Sequence, residues 1–386
     1  MTDKRKGILI ISPTLSPNVG GVETHLDDLI KFLKTQAYEV FVLSYSPITT
    51  PGVSWLPRED SENIHIRRFA WFGQTVLHRI EKIPLLDFLY ITPYLLVRSF
   101  IFMFFNHRKI DCIHAQGLNA AFIGGFLKKV FKKRLIVSTH ALYDIPAQSS
   151  TAMRIRKILN KANLILALST VSFHELASFG IEKSNLRVYR YWIDSNAFQV
   201  LSVDTKVLRQ QLGLPDRFTV LFVGRLTEIK GVKELVEVAH KLPKINFVFI
   251  GTGPLADYLK EEQKKMANIR FLGRIDNQKL GVYYNASDLL CIPSQYKEGF
   301  GRVVMEALAC GLPVVGSNKG GIPEALDHSV SVLVNPTVDN MTEAILHLYQ
   351  DRVCYKQLKD NCRGYALQNF SKDNAKVIIK AYEGES

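Results

Sequence analysis

The sequence predicts an α/β protein of two doubly wound, parallel-sheet domains facing an interdomain cleft. Three observations predict it. At 386 residues the chain is too long for one compact core. Short, nearly continuous apolar runs alternate with longer helical patterns, as in parallel sheets covered by helices on both faces. The alternation then restarts after residues 192–215, a more polar stretch. The expected boundaries are 1–192 and 193–366, with a C-terminal helix at 367–386 that crosses back to the first domain.

In the first half, strands are expected at Gly7–Pro13, Tyr38–Tyr45, Ile64–Ala70, Asp111–Gln116, Arg134–His140, Leu164–Ser169 and Leu186–Tyr191. In the second half they are expected at Thr219–Arg225, Asn246–Gly251, Ile269–Leu272, Leu289–Pro293, Pro313–Gly316 and Val330–Val334. A helix should follow Gly20-Gly21, because Val22, Leu26, Leu29, Ile30 and Leu33 keep one face apolar. The stretch from Asp339 to Tyr382 reads as mostly helical. Ligands of such folds bind at the carboxyl ends of the strands and at domain junctions.

The charge is unevenly spread. Residues 1–190 carry 25 Lys and Arg against 14 Asp and Glu, and residues 191–386 carry 24 against 22. Nearly all of the net charge of +13 therefore sits in the first half. A basic half-molecule attracts anionic lipid, nucleic acid or a phosphorylated substrate. A nucleic-acid partner fits poorly, since the basic residues are not interleaved with any reading motif. Five cysteines, Cys112, Cys291, Cys310, Cys354 and Cys362, form no C-x-x-C pair, so neither a disulfide framework nor a zinc knuckle is expected. The apolar run Ile8–Ile11 after Lys4-Arg5-Lys6 is short and reads as a first buried strand rather than a signal peptide. A cytoplasmic location is expected.

Ile83–Phe105 departs from an ordinary soluble pattern. It is almost wholly apolar, but Asp87, Pro93 and Arg98 interrupt it as a membrane span. A buried core helix is the favoured expectation. The other is a helix lying in the membrane interface, aided by Arg79, Lys82, Arg98, Arg108 and Lys109, with Lys128, Lys129, Lys132, Lys133 and Arg134 strengthening a peripheral contact with an anionic surface.

The chemistry centres on Glu298-Gly-Phe-Gly-Arg-Val-Val-Met-Glu306. Glu298 precedes a glycine turn, and Glu306 falls inside the helix that follows. The first amides of that helix, near Phe300, Gly301 and Arg302, have no intrahelical acceptor and lie at the positive end of the helix dipole. Carboxylates that accept from hydroxyls, beside amides that bind an anion, suit a polyhydroxylated phosphate ester. Ordinary solvent-facing glutamates would give the same letters. Arg225 stands at a strand end and Lys230 five positions on, a planar fork and a point charge that can neutralise a diphosphate or merely face solvent. Gly251-Thr-Gly253-Pro254 supplies another strand-end turn. His140 ends its strand, where it can bond a sugar hydroxyl or serve the structure alone. The chain has no Asp-x-Asp, no Gly-Lys-Ser/Thr phosphate loop and no expected metal site.

Taken in order, Gly20-Gly21-Val-Glu23, Thr139-His140, Val223-Gly-Arg225 with Lys230-Gly231, Gly251-Thr-Gly253-Pro, Glu298-Gly-Phe-Gly with Glu306-Ala-Leu-Ala, and Gly320-Gly-Ile-Pro-Glu324 resemble the family 4 retaining glycosyltransferases of the GT-B fold. The resemblance runs from about Gly7 to about Glu324. It implies two Rossmann-like domains, the first binding acceptor and the second a nucleotide diphosphate sugar. It implies that Arg225 and Lys230 bind the donor diphosphate, that Glu306 holds the ribose and Glu298 the transferred sugar. Phe300, Gly301 and Arg302 would contact sugar or phosphate through their amides, Gly21 would allow approach to the phosphate, and His140 would lie near the reacting carbon. Gly273-Arg274-Ile275 would meet the base. The implied substrate is a nucleotide sugar, with a UDP-sugar favoured, and no cofactor. The acceptor would be a glycan or a lipid-linked glycan of cell-surface polysaccharide assembly. One departure stands out: the family often has Pro-Asn-Gly before an Ile/Val-Asp, where this chain reads Arg190-Tyr191-Trp192-Ile193-Asp194. The rival readings are a sugar-nucleotide 2-epimerase and a catalytically silent sugar-binding subunit.

Overall fold

In a computed structural model, the described residues are 5–50, 52–73, 76 and 83–385. Lys4, Arg79 and Lys82, named above for their charge, lie outside them. The chain forms two compact units, Met1–Tyr191 with Ala375–Ser386, and Trp192–Asn374.

The first unit carries strands β1 (Lys6–Ile11), β2 (Tyr38–Tyr45), β3 (Arg58–Asp60), β4 (Ile64–Phe69), β5 (Cys112–Gln116), β6 (Arg134–Thr139), β7 (Leu164–Ala167) and β8 (Leu186–Val188). They form one sheet in the order β3-β4-β2-β1-β5-β6-β7-β8. All neighbours pair parallel except β3 with β4. Every expected strand is present within a few residues. β3 was not expected, because Arg-Glu-Asp has no apolar residue to signal a strand. It is a short charged edge, the kind that discourages pairing with another chain.

Among the described residues, the helices of this unit before residue 191 are α1 (Gly21–Lys34), α2 (Pro84–Asn106), α3 (Gly117–Phe131), α4 (Ser150–Leu159) and α5 (Thr170–Ser178). One core cluster joins β1, β2, β5 and β6 to α2 and α3 through Leu9, Leu43, Leu95, Ile113, Leu127 and Leu135. The buried face of α1 includes Glu23, His25 and Asp28 beside Leu26, Leu29 and Leu33, so it is more polar than the apolar spacing suggests.

The second unit has β9 (Thr219–Val223), β10 (Asn246–Ile250), β11 (Ile269–Phe271), β12 (Leu289–Ile292), β13 (Val314–Ser317) and β14 (Ser331–Val334). Their order is β11-β10-β9-β12-β13-β14, parallel throughout. The helices are α6 (Thr205–Gln211), α7 (Val232–Lys241), α8 (Ala256–Lys265), α9 (Leu280–Ala286), α10 (Arg302–Ala309), α11 (Val338–Gln350) and α12 (Arg352–Asn369). Strands β9, β10 and β12 meet α7 and α11 in a second core around Phe222, Leu235, Phe249 and Ile345.

The last helix, α13 (Lys376–Glu383), belongs to the first unit. Its Tyr382 is fully buried, with the hydroxyl 2.7 Å from His114 Nδ1. Arg134 Nε donates to the carbonyl of Ala381 at 3.1 Å.

Candidate active site

In the second unit the chain runs from β9 to β10 on one side of the sheet and later returns to β12 on the other. The carboxyl ends of β9 and β12 therefore flank a switch point, where loops diverge and leave a crevice. The turn after β9 carries Arg225 and Lys230, and the loop after β12 carries Glu298.

Gly231 brings those two loops together. Its φ is 72°, and a Cβ there would sit 2.0 Å from the carbonyl oxygen of Pro293. Only a residue without a side chain lets the β9 loop lie against the end of β12. Lys230 Nζ then stands 2.9 Å from Glu298 Oε1 and 5.1 Å from the ring centre of Tyr296. Ser294 Oγ donates to the same carboxylate oxygen. Burial pushes the Lys230 pKa down, but Glu298 and Tyr296 outweigh it and the net shift is upward, so this lysine is firmly cationic. Arg225 is exposed on the neighbouring turn, and its charge reaches Tyr296.

The backbone of Glu298 is clamped from the other side. Gly321 N–H donates to its carbonyl at 2.7 Å. A Cβ on Gly320 would lie 2.5 Å from that oxygen, and one on Gly321 would lie 2.1 Å from the oxygen of Gly299. The Gly320-Gly321 pair thus fixes the turn that carries Glu298.

Glu306 lies on α10 and is 1% exposed. Its Oε1 accepts from Arg302 Nε at 3.1 Å and from Asn277 Nδ2 at 3.2 Å, and its Oε2 accepts from the Tyr284 hydroxyl at 2.9 Å. Burial and then the Glu306 charge push the Tyr284 phenol far up, so it remains a donor. A buried carboxylate with one cation and two neutral donors is held in one orientation. Gly273, Arg274 and Ile275 belong to the loop after β11 that leads directly to Asn277. That loop is fastened to the β10 turn by a hydrogen bond from Gly251 N–H to the Gly273 carbonyl at 2.8 Å. Phe300 is buried and packs edge-on to Phe370, while Gly301 caps α10 with no side chain.

The structure thus joins Lys230 to Glu298 directly, sets Arg225 beside them through Tyr296, and gives Glu306 its own network with Arg302 and the 273–277 loop. The sequence pointed to Arg302 for its amide. Its guanidinium, a separate group, is buried and donates to Glu306. Tyr284, Asn277, Ser294 and Tyr296 were missed. Ser294, four residues before Glu298 in the same loop, could have been noticed; Tyr284 and Asn277 arrive from elements whose placement no local pattern reveals.

In the first unit, His140 follows β6 and Gln116 ends β5. His140 Nε2 lies 2.8 Å from Gln116 Oε1, and Nδ1 lies 2.9 Å from the Tyr191 hydroxyl. Both ring nitrogens are therefore engaged within the unit. A Gln oxygen only accepts, so Nε2 carries the proton and Nδ1 takes one from Tyr191. Burial holds the ring neutral, with its pKa down to about 4. His25 stacks on Tyr191 with ring centres 4.0 Å apart. The bulky residue at the position where the family often has a small turn is buried as a partner of His140. At the start of α1, a Cβ on Gly20 would meet Glu23 Oε2 at 2.3 Å, whereas one on Gly21 would meet nothing within 4 Å. A side chain at Gly20 would have to displace only the end of the Glu23 side chain. The space beside Gly21 is open.

The helix at Pro84–Asn106 overturns the buried-core expectation for Ile83–Phe105. Only 28% of its most apolar window is buried, and Leu85, Phe104 and Phe105 are 63%, 60% and 76% exposed. One face packs on the sheet through Ile91, Leu95 and Met103, and the opposite face is apolar as well. Sequence periodicity could not tell the faces apart, because apolar residues occupy both.

Comparison with known proteins accords with this geometry. The model for Glycosyltransferase Family 4 matches residues 19–196, and that for Glycosyl transferases group 1 matches residues 204–367. A sulfoquinovosyl transferase of Arabidopsis thaliana is 27% identical over 368 residues, covering 91% of this chain and 68% of the relative. A GDP-mannose-dependent monoacylated alpha-(1-6)-phosphatidylinositol monomannoside mannosyltransferase of Corynebacterium glutamicum is 23% identical, covering 92% and 91%. The crystal structure of Anabaena HepE in complex with UDP-glucose superposes with a TM-score of 0.76 at 22% identity, covering 98% of each chain. The chain belongs to the family 4 glycosyltransferases of the GT-B fold and is a nucleotide-sugar-dependent glycosyltransferase.

Proposed function

We propose that the protein transfers a hexosyl unit, with retention of configuration, from a UDP-sugar to a glycan or lipid-linked acceptor in cell-surface polysaccharide assembly, working at the cytoplasmic face of a membrane. The observation that carries the chemistry is the Lys230–Glu298 pair at the switch point of the second sheet. A cation held against a carboxylate gives adjacent places for a leaving phosphate and a sugar hydroxyl. The UDP choice draws on the UDP-glucose bound by the Anabaena protein. The lipid-linked choice draws on the phosphatidylinositol mannoside named for the Corynebacterium relative.

In this reading Arg225 and Lys230 stabilise the charge that grows on the diphosphate as the anomeric carbon gains oxocarbenium character. Glu298 accepts from the hydroxyls of the transferred sugar. Glu306, fixed by Arg302, Tyr284 and Asn277, accepts from the ribose. Gly273, Arg274 and Ile275 present backbone to the base, and the amides at Phe300, Gly301 and Arg302 contact sugar or phosphate. Gly21 leaves room for the phosphate, and His140 lies near the reacting carbon. The acceptor attacks from the face the diphosphate leaves, and the departing phosphate oxygen takes the acceptor's proton. No protein nucleophile, metal or cofactor is then required.

Thermal-shift profiling across UDP-, GDP- and ADP-hexoses, followed by NMR of the product's anomeric centre, tests the reading. Stabilisation by a UDP-hexose and an α-linked product from an α-donor are expected. An epimerised sugar nucleotide formed from donor alone would sink it in favour of the epimerase.

A further inference from the structure

We propose that α2 and the end of α3 form a built docking surface for an anionic lipid leaflet, with α2 lying in the membrane plane and a basic bowl beside it holding lipid phosphates. This rests on the peripheral-membrane part of the reading above and is independent of its chemistry.

The helix is long and apolar enough to cross a bilayer, but its middle is pinned to the sheet. The Tyr45 hydroxyl donates to the Ile91 carbonyl at 2.6 Å and accepts from Leu95 N–H at 2.9 Å. Those two backbone groups would otherwise bond each other, so Tyr45 is spliced into the helix ladder beside Pro93. Tyr45 is fully buried, which fastens α2 along its side. A helix held this way keeps one face on the protein and can offer only the other to lipid. That other face carries Leu85, Leu89, Val97, Ile101, Phe104 and Phe105, all exposed and mostly four apart. An apolar stripe about 30 Å long, at 1.5 Å per residue, is the form of an interfacial helix.

The charge lies where such a helix needs it. Phe100 meets Phe126 and Phe131 at 6.1 and 5.7 Å, so the end of α3 lies against α2 and adds exposed Phe126 and Val130 to the stripe. Immediately beyond, Lys128, Lys129, Lys132, Lys133 and Arg134 line a concavity of about 470 Å³ with Asn163. Lys132 ends α3 at φ 58°, the left-handed conformation that glycine normally supplies there. The chain keeps a cation at a position that disfavours any side chain. Burial and then the Arg134 charge lower the pKa of Lys128, whose Nζ donates to the Lys161 carbonyl at 2.8 Å.

The bowl is not the catalytic anion site. Arg134 begins β6 and His140 follows its end, so the two are separated by about 20 Å at 3.3 Å per residue. α2 precedes the parallel strand β5 and runs back along the sheet. Its stripe therefore extends from the carboxyl edge of the strands, where His140 lies, to the bowl. A lipid-linked acceptor in the leaflet would reach that edge by lateral diffusion.

The test is flotation of the full chain with phosphatidylcholine vesicles, with and without phosphatidylglycerol. Binding should require phosphatidylglycerol and weaken with salt. The triple variant K129E/K132E/K133E should bind at least about a hundredfold more weakly, each lysine near the surface contributing about fivefold. F104S/F105S should lose binding at every salt concentration. Circular dichroism should show both variants folded, and UDP release from UDP-hexose with a soluble acceptor should be unchanged in both. No flotation of the wild type, or undiminished binding by the triple variant, would overturn the proposal. So would a dimer in sedimentation that F104S/F105S dissolves, or a thermal shift with inorganic phosphate that accounts for the bowl without lipid. If flotation succeeds and no UDP-hexose is turned over, the docking surface stands and the chemical reading falls.

Discussion

Lys230 Nζ and Glu298 Oε1 are 2.9 Å apart, joined across loops that leave two adjacent parallel strands. With no donor bound the carboxylate serves as the counter-ion of the lysine. In the reading proposed above, a diphosphate entering the site would take over that service and release Glu298 to the sugar hydroxyls. Lys230→Ala should therefore lower kcat by about two to three orders of magnitude, the usual effect of removing one charge-stabilising donor. The melting temperature of the unliganded protein should change little. Steady-state UDP release and a thermal scan check the two halves. A fall in stability without loss of turnover would make the pair merely structural.

Glu306 is a different kind of carboxylate. It is buried and balances Arg302, which is itself buried. Glu306→Ala should cost about 3–5 kcal/mol in denaturant unfolding, because it strands a guanidinium without its charge partner. Tyr284→Phe removes one neutral donor and should cost about 1 kcal/mol. Its larger effect should be a raised KM for the donor, since the carboxylate would no longer be fixed.

Two glycines should respond in opposite ways. Gly231→Ala forces a side chain to 2.0 Å from the Pro293 oxygen at a φ of 72°, and should destabilise by more than about 2 kcal/mol while separating Lys230 from Glu298. Gly21→Ala meets open space at the start of a helix and should stabilise by about 0.5–1 kcal/mol. If the open space receives the donor phosphate, the same change should raise the donor KM. Equilibrium unfolding and donor kinetics on both variants decide the matter.

Acid should weaken the first unit. His114 is fully buried between the Tyr382 and Ser138 hydroxyls, and burial lowers its pKa to about 3; that of His140 falls to about 4 for the same reason. Both lie below the ordinary value of 6.5. The unfolded chain thus binds protons more readily, and the stabilisation is complete above about pH 6.5. It is lost progressively as the pH falls from there toward 3–4. Unfolding free energy measured across pH 7 to 4 should decline, and His114→Asn should flatten the decline.

Tyr191→Phe should remove the proton donor to His140 Nδ1 and leave the tautomer unfixed. Long-range proton–nitrogen NMR of labelled histidine should show the Nε2–H form in the wild type and a mixture in the variant. An unchanged pattern would show that Gln116 and the Tyr189 hydroxyl, 3.4 Å from Nδ1, set the ring without Tyr191.

The sequence by itself determined the two parallel sheets and the strand ends from which Arg225, Lys230, Glu298 and His140 emerge. Strands buried on both faces must be continuously apolar, and that signal is local. Ordered glycine turns marked where loops approach closely, and the structure places Gly231, Gly320 and Gly321 against neighbouring backbone. Tertiary structure alone decided which side chains meet. Tyr284 and Asn277 reach Glu306 from 22 and 29 residues away, and Tyr382 reaches His114 from 268. It also decided which side of α2 is exposed, since a helix apolar all round carries no moment to orient it. Local patterns record what each residue avoids or tolerates, namely water, strain or a side chain. The partner that satisfies a buried charge is fixed only when the sheet order brings distant segments side by side.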